Sequence, residues 1–322
     1  VDRTQARNET RLTLFARDSG SNPTGIVTTR GAGRRVIGFR EEIWLQDQYT
    51  PTPQWTFNLG LRLDNIHGYI HAMQISPRIG TTYKLNNNHV FHAFYGRLFT
   101  PPNLEALPFG GLNTANTTAA PDASTQQTKT NPERSHYFEL GSTHEIAKNV
   151  ILQLTGYYKL STNMSDAHQF NATPMLNYFA YERGWQRGLE GSLRVTLAEN
   201  LTTQGNVAWG QCKGYGLQSG HFLMHEKEYD HIRSGEGVFC DHMQSLTSTA
   251  WIAYRLLSNT TITAQMLYGS GLRMKVDENA RTNSYHTDSQ TMYNLSVAHV
   301  IPLGKQQKLL FGLDIINLLD QE

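Results

Sequence analysis

Cys212 and Cys240, the only two cysteines, lie at the two ends of the long Gln211–Met243 loop, which carries His221, His225, His231 and His242 among Glu226, Glu228, Asp230, Glu236 and Asp241. In a chain matured through an oxidising compartment, such a cysteine pair suggests a disulfide. Closing that loop of about 27 residues would restrict the open ensemble by roughly 3 kcal/mol in the chain-entropy model. Two free thiols or a metal-binding pair are the alternatives. Imidazoles and carboxylates at this density are the groups that hold a transition metal or a metal chelate. Their spacing fits no fixed ligand pattern, so a solvated polar loop is the preferred reading. Asp241, His242 and Ser245 fall within five residues and contain the types used in hydrolysis. Adjacent strand residues alternate faces, so the three cannot all converge. The chain has no G-x-S-x-G elbow, H-E-x-x-H pair, P-loop or zinc-spaced cysteine set. Neither an enzyme nor a resident metal or cofactor is expected.

The elements that carry these residues are strands. In Trp55–Asp64, Phe57, Leu59, Leu61 and Leu63 oppose Thr56, Asn58, Gly60, Arg62 and Asp64. Val150–Lys159, Gly188–Ala198, Leu246–Leu256 and Thr261–Gly269 repeat this period of two. Short polar turns at Thr50–Gln54, Asn86–Asn88, Ala147–Asn149, Glu199–Asn200, Leu257–Asn259 and Gly304–Gln307 alternate with long connections. The long ones are Asp18–Gly33, Leu98–Arg134, Ser161–Arg183, Gln211–Met243 and Ser270–Gln290, with a shorter one at Asn65–Ser76. The spacing predicts about thirteen strands, many of 9 to 12 residues, the length of a tilted bilayer-spanning strand. An up-and-down meander with one tight end and one loose end is the pattern of a transmembrane β-barrel. No run of about 18 apolar residues exists to form a membrane helix. A mean hydropathy of −0.47 is compatible with a barrel, in which only every second strand residue meets lipid. A net charge of +1 gives no steering toward nucleic acid. Trp44, Tyr49, Trp55, Tyr83, Phe91, Trp209, Tyr254 and Tyr293 fall near strand ends, where aromatic girdles form.

Four stretches resemble the barrel of TonB-dependent outer-membrane receptors. They are SPRIGTTYKLNNNHVFHAFYGRLFTPPNLEAL (Ser76–Leu107), NPERSHYFELGSTHEIAKNVILQLTGYY (Asn131–Tyr158), RGLEGSLRVTLAENLTTQGNVAW (Arg187–Trp209) and FGLDIINLLDQE (Phe311–Glu322). Asp241–Gly271, with DHMQ and YGSGL, supports them, and their order and spacing carry more weight than any one motif. The resemblance implies an all-β, antiparallel barrel of 22 strands, of which residues 1–322 supply about thirteen and no plug domain. It implies an importer that draws energy from the inner-membrane TonB protein through an N-terminal segment. A ferric siderophore is the favoured cargo, with a corrinoid, peptide or oligosaccharide as alternatives. Haem receptors of the family carry a histidine between two sequence boxes. Pro101–Thr130 has none, which argues against haem. The expected partners are outer-membrane lipid, TonB and a small-molecule or glycan ligand, with no nucleic acid, for a monomer in a Gram-negative outer membrane. A structural or adhesive barrel and a passive porin-like channel are the other classes in play.

Two groups of residues carry the expected interior chemistry. Arg62, Asp64, Glu139, Glu190 and Arg194 sit on polar strand faces and are expected to line the lumen. A charge facing lipid at the midplane would cost roughly 2–4 kcal/mol. A wall-stiffening charge lattice is preferred over direct ligand contact. In the long Leu98–Arg134 connection, Phe99, Leu104, Leu107 and Phe109 are placed to fold over the barrel mouth or to pack against neighbouring loops. Phe99, Leu104 and Phe109, with His221, His225 and His231, are the ligand-contact candidates.

Overall fold

The computed structural model describes residues 2–18, 22–102, 131–169, 176–218, 226–257, 259–274, 281–304 and 307–320. The first strands are β1 (Asp2–Arg17), β2 (Pro23–Tyr49), β3 (Trp55–His67), β4 (Ala72–Lys84) and β5 (His89–Thr100). Next come β6 (Glu133–Ala147), β7 (Val150–Gln169), β8 (Leu176–Ala198) and β9 (Leu201–Tyr215). A helix, α1 (Glu226–Arg233), precedes the short β10 (Val238–Phe239), then β11 (Leu246–Leu257) and β12 (Thr260–Gly269). The last are β13 (Arg273–Met274), β14 (Tyr285–His286), β15 (Gln290–Pro302) and β16 (Lys308–Ile315).

Thirteen of these strands form one antiparallel path, β1 through β9, then β11, β12, β15 and β16; β10 pairs with β9, and β13 with β14. Each strand in the path hydrogen-bonds its chain neighbours, which is the up-and-down meander expected of a transmembrane barrel wall. The helix is far too short to cross a membrane.

Alternation decides the faces. On β3, Leu59 and Leu61 are exposed while Asp64 and Ile66 are buried. Leu59 pairs with Ile79 of β4, so apolar side chains adjoin across strands. The exposed face continues through Phe138 and Leu140, Leu154 and Tyr158, Leu189 and Leu193, and Val207, a contiguous apolar belt suited to lipid. Tyr49, Trp55, Phe91, Trp209 and Tyr254 are exposed on it, and the Trp55 ring lies 4.5 Å from that of Tyr83; Trp44 is exposed too, but it stands opposite Arg62 and so shares the lumen face, outside the expected girdle.

The tight turns fall where the sequence places them, but three long connections are shorter than expected. Asp18–Gly33 is mostly strand: β2 begins at Pro23 and pairs with β1 from Arg17 onward. Ser161–Arg183 is largely a two-stranded extension, with Met164 opposite Tyr181 and Ser165 opposite Ala180. Asn65–Ser76 shrinks to residues 68–71. The reason is common to all three. Beyond the bilayer no lipid requires every second residue to be apolar, so the period-two signal weakens, while backbone groups still satisfy one another across the ladder. Gln211–Met243 carries the end of β9, α1 and β10, and Ser270–Gln290 carries the β13–β14 pair.

Apolar packing concentrates at the loop end. One cluster joins Ile66, Ile70 and Phe99; the other joins Met164, Tyr181, Ile232, Val238 and Cys240.

Candidate functional site: the lumen wall and its rim

The inner face presents paired charges. Asp64, wholly buried, accepts from Arg62 Nε at 2.9 Å and from Arg40 Nη2 at 3.2 Å, and Arg40 also contacts Glu42. This arrangement ties β2 to β3. At the rim, Glu133 is 5% exposed and gathers five contacts. Its Oε1 accepts from Ser135 Oγ at 2.9 Å, Ser161 Oγ at 3.1 Å and Lys159 Nζ at 2.7 Å. Its Oε2 accepts from the Ser165 amide and hydroxyl, each at 3.0 Å. A carboxylate taken from water is tolerable only when paired and hydrogen-bonded in this way.

Below it, Glu139 accepts from the Tyr137 hydroxyl at 2.6 Å and lies 3.4 Å from His92 Nε2. Glu190 and Arg194 are exposed on the polar face of β8 and make no ion pair among the described residues. The five lumen candidates therefore divide: Arg62, Asp64 and Glu139 join local networks, while Glu190 and Arg194 do not meet. Gly188, beside Glu190 in the Arg-Gly-Leu-Glu motif, has a structural reason to be glycine. A Cβ there would stand 2.6 Å from the Tyr157 ring, which lies across it on the lumen face.

At the rim, Phe99 does not reach over the mouth. It is buried against Ile66 and Ile70, with the Arg134 guanidinium 5.2 Å above its ring. Nearby Tyr69 is half-buried, and burial raises its phenol above the ordinary range against the opposing pull of Arg40. Leu104, Leu107, Phe109, His221 and His225 lie outside the described residues.

His231 accepts the Thr282 amide at Nδ1 (3.0 Å) and sits 4.0 Å from Glu236, whose other neighbour is Arg281 at 3.2 Å. It braces α1 against the segment after β13. No group of three or more metal-ligating side chains occurs among the described residues. Cys212 and Cys240 are disulfide-bonded, Cα atoms 5.4 Å apart, at the junction of β9 and β10. The bond sits in the cluster containing Met164, Tyr181 and Val238. Asp241 contacts His242 at 2.7 Å on an exposed turn, and Ser245 engages through its backbone carbonyl, which accepts from Gly210.

Sequence reasoning missed Glu133, Ser135, Lys159 and Ser161. The usable signal was parity: Glu133, Ser135, Tyr137 and Glu139 are spaced by two on β6 and opposite the apolar Phe138 and Leu140. It also missed a row of arginines on the outer face, described below.

The chain spans about half the length of the solved structures described next, or somewhat less. The ferric enterobactin receptor PfeA of Pseudomonas aeruginosa aligns with 98% of this chain and 45% of its own, at 16% identity and a TM-score of 0.61. The outer membrane transporter YddB of Escherichia coli covers 99% and 46%, at 13% identity and 0.64. The FrpB iron transporter of Neisseria meningitidis covers 89% and 42%, at 14% identity and 0.63. These likenesses establish the fold. No curated protein sequence matches the chain. The family model for the β-barrel of TonB-dependent receptor-like proteins matches residues 3–318, so the meander, its polar lumen and its apolar outer belt belong to one known kind of wall. The chain belongs to the TonB-dependent receptor-like β-barrel family.

Proposed function

We propose that this chain is the barrel wall of an outer-membrane receptor that actively imports a scarce ligand too large for porins. A ferric siderophore is the favoured cargo. The observation that carries this reading is a family match over nearly the whole wall. A lumen face of hydrogen-bonded polar groups and a rim of extended hairpins accompany it. The similarity to a ferric enterobactin receptor and an iron transporter supports the choice of cargo class.

The wall has no nucleotide-binding motif, so the work comes from outside it. Energy from the inner-membrane TonB system acts on a plug within the lumen. Transport then needs only a difference in ligand affinity between loaded and released states. Tight turns face the periplasm, and the β7–β8 hairpin, α1 and the disulfide face the medium.

The test is uptake by a deletion strain across ferric chelates, corrinoids and oligosaccharides. The expected result is loss of one ferric chelate, restored by the gene and abolished again without TonB. Normal uptake of every compound would favour an adhesive barrel instead. A full-length protein found in the soluble fraction, with no heat-dependent gel shift, would remove the membrane assignment altogether.

A further inference from the structure

The lumen face is sorted by charge around the wall. From β2 to β7 it carries Arg40, Glu42, Arg62, Asp64, Glu139 and Lys159. From β9 to β15 the register brings uncharged side chains together on the same face. The tier nearest the loop end holds Ala208, Thr247, Gly269 and Gln290, and the next holds Asn206, Thr249, Leu267 and Met292. Gln204, Trp251, Gln265 and Asn294 form the third. Glu190, opposite Ala208, and Arg194, opposite Gln204, stand on β8 at the border of this neutral sector.

The lower amides are tied to one another. Gln204 Nε2 donates to Asn206 Oδ1 at 2.9 Å, Asn206 Nδ2 to Thr249 Oγ1 at 2.9 Å, and Asn294 Nδ2 to Gln265 Oε1 at 3.2 Å. The tier above them differs. A recess of about 840 Å³ opens there, with Gln244, Thr247, Ser289 and Gln290 around the apolar Leu267 and Met292, and no charged side chain lines it. Among the described residues, the side chains of Gln244, Thr247, Ser289 and Gln290 have no hydrogen-bond partner. Gln244 is nevertheless fixed through its backbone. It bridges to Leu272, between Met243, whose carbonyl accepts from Arg273, and Ser245, whose carbonyl accepts from Gly210. Its amide lies over Gly269, where a Cβ would collide with Nε2.

The volume falls in the range of about 300–1,000 Å³ usual for small-molecule sites. An amide can donate and accept at once, and so can every hydroxyl of a sugar. The recess combines free polar groups at its edge with an apolar floor. A pyranose ring divides its surface in the same way, with hydroxyls around its rim and C–H groups on its faces. Trp251, in the tier beneath, extends the apolar floor with a large ring. A charged ligand would find no counter-charge here and would give up its water without compensation.

We propose that this recess binds a neutral glycosyl unit of the cargo, presented either as a free oligosaccharide or as a sugar attached to a ferric chelate. The inference rests on the import reading above and narrows the chemistry of what is imported.

The test uses the full-length receptor in a neutral detergent. An array carries neutral oligosaccharides, their uronate and sulfated counterparts, and a ferric trihydroxamate with and without an appended glucosyl unit. We expect retention of a neutral glycan at least about tenfold above its charged counterparts. The free and chelate-linked arms distinguish the two sources. Calorimetry on the retained glycan then reads the variants. Gln244→Ala/Gln290→Ala should weaken binding at least about tenfold, and Gly269→Ala, which displaces the Gln244 amide, should weaken it severalfold. Arg78→Gln, on the charged side of the lumen, should leave it unchanged. Retention of no neutral glycan, equal retention of charged ones, or full affinity in a folded double variant would overturn the proposal. If the double variant gives no heat-shifted folded band, Gly269→Ala and the wild-type comparison of neutral with charged glycans decide. A strain that loses uptake of a ferric chelate while the receptor retains no glycan keeps the import reading and rejects this one. Glycan retention with normal uptake of every compound does the reverse.

Discussion

The two faces of the same five strands, β5–β9, handle charge in opposite ways. On the lumen face, Glu133 is surrounded by Ser135, Lys159, Ser161 and Ser165, and Glu139 by Tyr137 and His92. On the outer face, Arg134, Arg183 and Arg187 meet rings and amide or carbonyl oxygens, and among the described residues neither they nor Arg97 pair with a carboxylate. Burial explains the inner arrangement: a group shut away from water must find its partners within the chain. Residue parity along a strand therefore determines how its charges are accommodated.

The comparison can be broken most severely at Glu133. Glu133→Ala removes the partner of Lys159 and of three serine hydroxyls and is expected to cost about 3–5 kcal/mol, as for a buried pair deprived of one partner. The temperature at which the folded, fast-migrating band disappears should fall markedly, and an unchanged value would mean the network is dispensable. Next is Leu189→Arg, which puts a cation into the apolar belt at a residue that is 64% exposed. Its cost should be about 2–4 kcal/mol if this face meets lipid, read by urea unfolding in lipid vesicles. The same change at Leu160, in register with His136 and Arg97, should cost under about 1 kcal/mol because charge is tolerated near the interface. Similar losses at both positions would erase the distinction between belt and rim. Asp64→Asn is expected to cost about 2 kcal/mol, less than Glu133→Ala, since Arg40 and Arg62 retain partial access to water. Gly188→Ala, which forces the Tyr157 ring aside, should cost about 1–2 kcal/mol. Pairing it with Tyr157→Ala should recover most of that loss if the ring is the obstacle.

Much of this wall was legible because lipid imposes alternation. Leu59, Leu61, Leu189 and Leu193 stand out as apolar positions at intervals of two, and the short turns between strands carry ordinary turn residues. The extensions were not legible, because Ser161–Gln169 and its partner strand lack the apolar period of two, and what they bury, Met164 and Tyr181, packs against α1 and the disulfide rather than lipid. The lumen lock was half legible. Glu139 announced itself as a charge on a polar face, whereas Glu133 looked like part of a loop box until pairing with β7 brought Lys159 and Ser161 beside it. The arginine row escaped for a different reason. Arg97, Arg134 and Arg183 come from three separate segments, and only the register places them side by side.

Asn163 gives the hairpin one further property. Its backbone is left-handed, with φ of 52°, and around it the facing of β7 changes. Thr162 stands in the outer tier opposite Arg183, yet Met164, two residues on, packs inward against Tyr181 and Cys240. Below this point a one-residue insertion would swap lipid-facing and lumen-facing side chains throughout a spanning strand. Above it the count has already been restarted, and the disulfide anchors the neighbouring segment independently of the belt. Asn163 thus marks a seam between a part of the gene that must keep count and a part free to change length. Differences in length among related chains should accumulate on the loop side of that seam.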